Sequence, residues 1–212
     1  MALTGFDPEQ VKISINNVVK AYNELIDQIG DRMQKGFVDG MADKWACNQA
    51  QIFFSNFKTS IDYLNKEVNL TFQSVVDAMN TAAMAWSEST ESVYATIPVS
   101  LRLVSINIDN IVENINGVRG IDLQLSSSIS GILPIIQNSA LEALEHAKSA
   151  VVECGFIGGT QAESLISSLD AIGRIIESEI LKITDQSKNA IDDTIATYSD
   201  VEGRVSQAFQ GQ

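Results

Sequence analysis

Proline is nearly absent from this chain: only Pro8, Pro98 and Pro134 occur in 212 residues. With so few breakers, and with alternating polar and apolar runs scarce, long helices are permitted nearly everywhere. Cysteine is limited to Cys47 and Cys154 and histidine to His146. Their spacing makes no metal-ligand pattern, and both cysteines are expected as free thiols near helix turns. No window approaches the ~20 apolar residues of a membrane-spanning helix, the densest run being Ile132-Leu133-Pro134-Ile135-Ile136. The start, Met1 to Asp7, lacks the basic stretch and apolar core of a cleavable signal peptide.

Basic residues are also few. Against 27 acids stand 14 lysines and arginines, a net charge of -13. Residues 1–100 hold 12 acids and 7 bases and residues 101–212 hold 15 and 7, so the excess is shared by both halves (-5 and -8). Such a surface repels phosphate backbones, which excludes nucleic acid as an expected partner. Nucleophilic catalysis would need His146, which is expected on a polar helix face with no serine or cysteine signature beside it. Gly155 to Gly159 is glycine-rich but follows a helix and has no lysine for a phosphate, so no nucleotide loop is expected. The expected protein is non-enzymatic, without cofactor or metal. Asn69-Leu70-Thr71 matches a glycosylation acceptor, but within a predicted helix it is discounted.

What is present is helical periodicity. Asp7, Pro8 and Gln10 mark a helix start as N-cap, first helical residue and capping-box partner, with Phe6 and Val11 placed as a hydrophobic staple. Val11, Ile15, Val18, Val19, Tyr22, Leu25, Ile26, Ile29 and Met33 then recur at three- and four-residue steps over about 28 residues. Gly36 and Gly40 are expected to end this helix, and Asp39 to Cys47 to carry a turn. A second stripe runs from Phe53 through Phe57, Ile61, Leu64, Val68, Phe72, Val75, Met79 and Ala83 to Trp86, ending before Pro98. Leu101 to Ile115 is expected as helix: Val104, Ile106 and Ile108 alternate like a strand, but Asp109 and Glu113 sit four apart on one outer face. Leu123 to Cys154 and Thr160 to about Ala208 complete the helices, with Pro134 in a first turn or at a kink.

The long second helix and the last one match at an offset of 112 residues. Leu64 falls on Ile176, Val68 on Ile180, Met79 on Ile191, Ala83 on Ile195 and Trp86 on Tyr198. Because this offset is a whole number of heptads, the identities Gln49/Gln161, Ala50/Ala162 and Ser55/Ser167 carry the repeat beyond shared phase. The expected fold is all-α, an antiparallel bundle of two long helical hairpins in tandem. The first spans 1–97; the second spans 98–212 with an extra N-terminal helical segment; the two pack as one bundle.

At the hairpin tips, Trp45-Ala46-Cys47 and Phe156-Ile157-Gly158 resemble the aromatic-x-Gly turn of the Trp-x-Gly (WXG) family, small helical hairpins that are substrates of bacterial type VII secretion systems. The first tip keeps the tryptophan and the second keeps the glycine. Near the end of the last helix, Tyr198-Ser199-Asp200-Val201-Glu202 resembles the family's Tyr-x-x-x-Asp/Glu signal, and residues four apart share a helix face. The resemblance implies a secreted substrate or helical targeting partner, cytoplasmic before export without a cleavable signal peptide. Trp45, Phe156, Gly158, Tyr198 and Glu202 would contact the secretion machinery or another helical protein. It also places Trp45 and Tyr198 as neighbours at one end of the bundle. The alternatives are a membrane-active toxin component that inserts Leu101 to Ile115, the only reading with a membrane partner, and a cytoplasmic coiled-coil adaptor.

Overall fold

A computed structural model of the chain describes residues 7–125, 131–154 and 159–210. The fold is all-α, with one sheet of two two-residue strands. Helix α1 (Pro8–Ile26) starts as expected: the Asp7 carboxylate accepts the Glu9 and Gln10 N–H groups at 3.0 and 3.3 Å, and Pro8 occupies the first turn, where its missing N–H costs nothing. Gln10 does not reach back to complete a capping box. Its amide donates instead to the Glu153 carbonyl across the bundle. Phe6, the other half of the expected staple, lies outside the described residues.

Gly36 and Gly40 do not end the helix. The chain winds on through a π-helical segment (Asp27–Val38), in which the Asp39 N–H donates to the Gln34 carbonyl five residues back, and then through α2 (Asp39–Ala42). Burial explains the override. Ile29, Met33, Phe37 and Met41 are all buried and recur every four residues, so the apolar face continues through both glycines and keeps the segment on the core.

Strand β1 (Trp45–Ala46) forms the tip of this first hairpin, pairing antiparallel with β2 (Gly120–Ile121), and the Asp122 N–H donates to the Lys44 carbonyl at 2.7 Å. Helix α3 (Asn48–Ser89) returns along α1, with Tyr22 against Phe72 and Phe37 against Phe57. Helix α4 (Ile132–Glu153) and helix α5 (Gly159–Gln210) make the second hairpin, and Pro134 lies in the first turn of α4. Contacts fix the order: α4 lies on α1 with Glu153 by Gln10 and His146 by Glu24, and α5 lies on α4 with Asp170 by Lys148. Helix α5 closes the ring on α3, where Ala82 faces Leu165 and Ile52 faces Ala190. All four neighbouring pairs are therefore antiparallel.

That ring leaves α3 and α4 parallel across the diagonal, so their link must climb the whole bundle. It does so as an extended strap, and this corrects the helix expected over Leu101 to Ile115 and with it the extra helical segment of the second hairpin. The strap side chains alternate as a strand's do. Ile97, Val99 and Leu101 turn inward, the phase slips by one at Arg102-Leu103, and Val104, Ile106 and Ile108 turn inward again, Ile106 fully. Asp109 and Glu113 share no helix face; Glu113 pairs with Arg119 beside the Ile115–Val118 bridge.

Candidate functional site

An extended segment on a helical bundle has no neighbouring strand to take its backbone groups, and buried N–H and C=O groups need partners. Here α3 and α1 supply them from side chains. Asn80 takes both groups of Ile97, accepting from its N–H at 3.0 Å and donating to its carbonyl at 3.1 Å, while Tyr94 donates to the same Asn80 oxygen. Asn69 donates to the Leu101 carbonyl and to the Tyr22 hydroxyl, which in turn donates to the Arg102 carbonyl. Higher up, Asn65 donates to Val104 and Asp62 accepts the Ile106 N–H. Lys58 donates to the Ile106 carbonyl and Gln34 takes both groups of Asn107. Lys58, Asp62, Asn65 and Asn69 follow three- and four-residue steps and Asn80 stands about three turns further on, so they form a polar stripe beside the apolar one. That spacing was available in the sequence but was hidden among the residues of a predicted solvent face.

The tip residues are placed as follows. Trp45 is fully buried, with its ring 5.5 Å from Phe53 and 6.0 Å from Phe54, and its indole N–H has no partner among the described residues. It plugs the end of the core and presents no free face. Tyr198 is half-buried at the same end, near Cys47 and Arg119; burial raises the pKa of its hydroxyl, the Cys47 thiol adds to the rise and the Arg119 guanidinium opposes it. Glu202 lies one turn further along α5. From Ser199 to Ala208 every residue is exposed, including Val201 and Val205, so α5 runs on past the bundle. The geometry thus brings Trp45 and Tyr198 to one end and puts Glu202 on the overhang. Phe156 and Gly158 lie outside the described residues.

Elsewhere the side chains are engaged structurally. Cys47 and Cys154 are free, buried and at opposite ends; burial pushes the Cys154 thiol up to about 11, with the nearby Ser14 hydroxyl opposing the rise. His146 Nδ1 lies 3.0 Å from Glu24 on an exposed flank. Asn69 of the glycosylation-like triplet is committed to the strap. Among the described residues no cluster of three histidines, cysteines or acids is placed to hold a metal, and no helix is long and apolar enough to cross a membrane. No protein-family model, characterised protein or solved structure matches the chain.

Proposed function

We propose that this protein is a non-enzymatic substrate or helical targeting partner of a bacterial type VII-like secretion system, working through protein–protein contacts. The observation that carries the reading is the overhang of α5: Tyr198 stands at the edge of the bundle and Glu202 one turn beyond it, on a helix stretch whose residues from Ser199 to Ala208 are all exposed among the described residues. Two residues four apart on a free helix end offer one composite surface to a binding protein. The pairing of two hairpins in one chain supports the same reading. Each hairpin has an apolar stripe that it cannot cover alone, and the covalent link supplies the cover at high effective concentration.

The test is export from a host that carries such a system, with supernatant and cells assayed for wild type, Glu202→Ala and the double variant Tyr198→Ala with Glu202→Ala. Glu202 is exposed, so its single variant keeps the fold. Export should fall in the single and nearly vanish in the double, with intracellular protein and circular dichroism unchanged. Wild-type export by the double variant would remove this reading. The membrane-active alternative would insert Leu101 to Ile115, which stands here as the extended strap tied to α3 through its main chain.

A further inference from the structure

The winding of Asp27–Val38 is the least ordinary backbone feature among the described residues. π turns are rare and mostly single, yet this one holds for 12 residues. From Asp27 to Gln34 it faces the strap. Asp27 and Asp31 clasp the Arg102 guanidinium, Gln34 holds both backbone groups of Asn107, and Gly30 lies under Val104 so closely that a Cβ would come within 2.5 Å of Val104 Cγ1. At its end Phe37 packs on Phe53, Phe54 and Phe57 and Val38 is buried, and directly downstream Met41, Trp45 and Cys47 are buried.

We infer that docking of the strap holds Asp27–Val38 in its π winding and, through that winding, seats the Trp45–Cys47 tip, so that release of the strap lets the segment rewind toward α and unseats the tip. The mechanics are those of helix phase. An α turn takes 3.6 residues and a π turn more, so rewinding rotates everything after Val38 about the helix axis. Helix α1 is fixed by its packing on α4 and cannot rotate to compensate. Phe37 and Trp45 then lose their places among Phe53, Phe54 and Phe57. The device links two regions that lie apart in sequence, the strap and the first tip, and it is independent of the secretion reading.

Two buried free thiols at opposite ends make the test direct, because Cys47 reports on the tip and Cys154 serves as the internal control. The variant Asn65→Ala with Asn69→Ala releases the strap from α3 without altering the π segment; Asn69→Ala alone serves if the double does not fold. Labelling of Cys47 by a thiol reagent should become roughly tenfold faster, Cys154 should keep its wild-type rate, and amide exchange in residues 27–38 should rise. Asn80→Ala, which frees only the far end of the strap, should leave Cys47 unchanged. Three results would overturn the inference: strap amides that exchange faster while Cys47 labelling stays put, equal acceleration at both thiols, or faster Cys47 labelling with exchange in 27–38 unmoved, which would route the coupling through the loop before β2. A rise of Cys47 labelling in Asn80→Ala would overturn it too.

Discussion

Helix α3 borders two grooves, and they are treated differently. Toward α1 it presents Lys58, Asp62, Asn65, Asn69 and Asn80, and that groove is filled by the strap. Toward α5 it presents Ala78, Thr81, Ala82 and Ala85 at one end and Ile52 and Phe53 at the other, and open grooves of about 400 and 310 Å³ remain there. The contrast teaches that a polar residue inside an amphipathic helix need not mark solvent. Amide side chains spaced to one face can bond a passing main chain much as a neighbouring strand does. Small residues on the other side give close approach but hold nothing extended.

The comparison can be broken most severely from the strap. Ile106 is its most deeply buried anchor, so Ile106→Ala should cost about 3–4 kcal/mol in a denaturant titration and free the strap, whereas a cost under about 1 kcal/mol would mean the strap merely rests on the groove. Asn80→Ala should come next at about 2–3 kcal/mol, since it strips the Ile97 N–H, the Ile97 carbonyl and the Tyr94 hydroxyl of one shared partner. Gly30→Ala should destabilise by about 1–2 kcal/mol despite alanine's better helix propensity, because its Cβ meets Val104. A stabilised variant would show that the strap is not seated there.

Alkali offers a finer cut. Burial raises the pKa of the Tyr22 hydroxyl, with the Asn69 bond and the Arg102 charge working against the rise. A raised folded-state pKa means the contribution is whole below the ordinary tyrosine range and is lost as pH climbs through the raised value. Loss of the proton also removes the donor to the Arg102 carbonyl. Strap amides should therefore lose protection above about pH 10, and Tyr22→Phe should abolish that step; an alkaline loss identical in the variant would assign it to another group. The smallest effect belongs to the open side, where Ala82→Leu should fill empty space and change stability by no more than about 1 kcal/mol in either direction. A large destabilisation would show that this groove is closed in solution.

Much of the scaffold was legible in the sequence. The start at Asp7 and Pro8 and the long stripes of α3 and α5 followed from spacing and caps, because packing along one face is what those patterns encode, while Pro134, left open between a first turn and a kink, lies in the first turn. The glycines misled, since propensity at Gly36 and Gly40 is weak against the burial of Met33, Phe37 and Met41. The strap was half legible. Val104, Ile106 and Ile108 gave the true two-residue period, but the slip at Arg102-Leu103 cut the run short and the spacing of Asp109 and Glu113 imitated a helix face. At the first tip, Trp45 was visible as a turn aromatic, while its partner strand is β2, far along the chain in Gly120 and Ile121, which no local pattern announces.

The account's central claim is that the link between the two hairpins is an extended strap whose main chain is held in the α1–α3 groove by side chains of the first hairpin. Residue-resolved amide exchange on the unmodified protein tests it most directly. Ile97, Ile106 and Asn107, whose N–H groups are given to Asn80, Asp62 and Gln34, should exchange far more slowly than Ser100 and Leu103 between them. Continuous protection from Leu101 to Ile115, as a helix would give, or uniformly fast exchange across the strap, would contradict it.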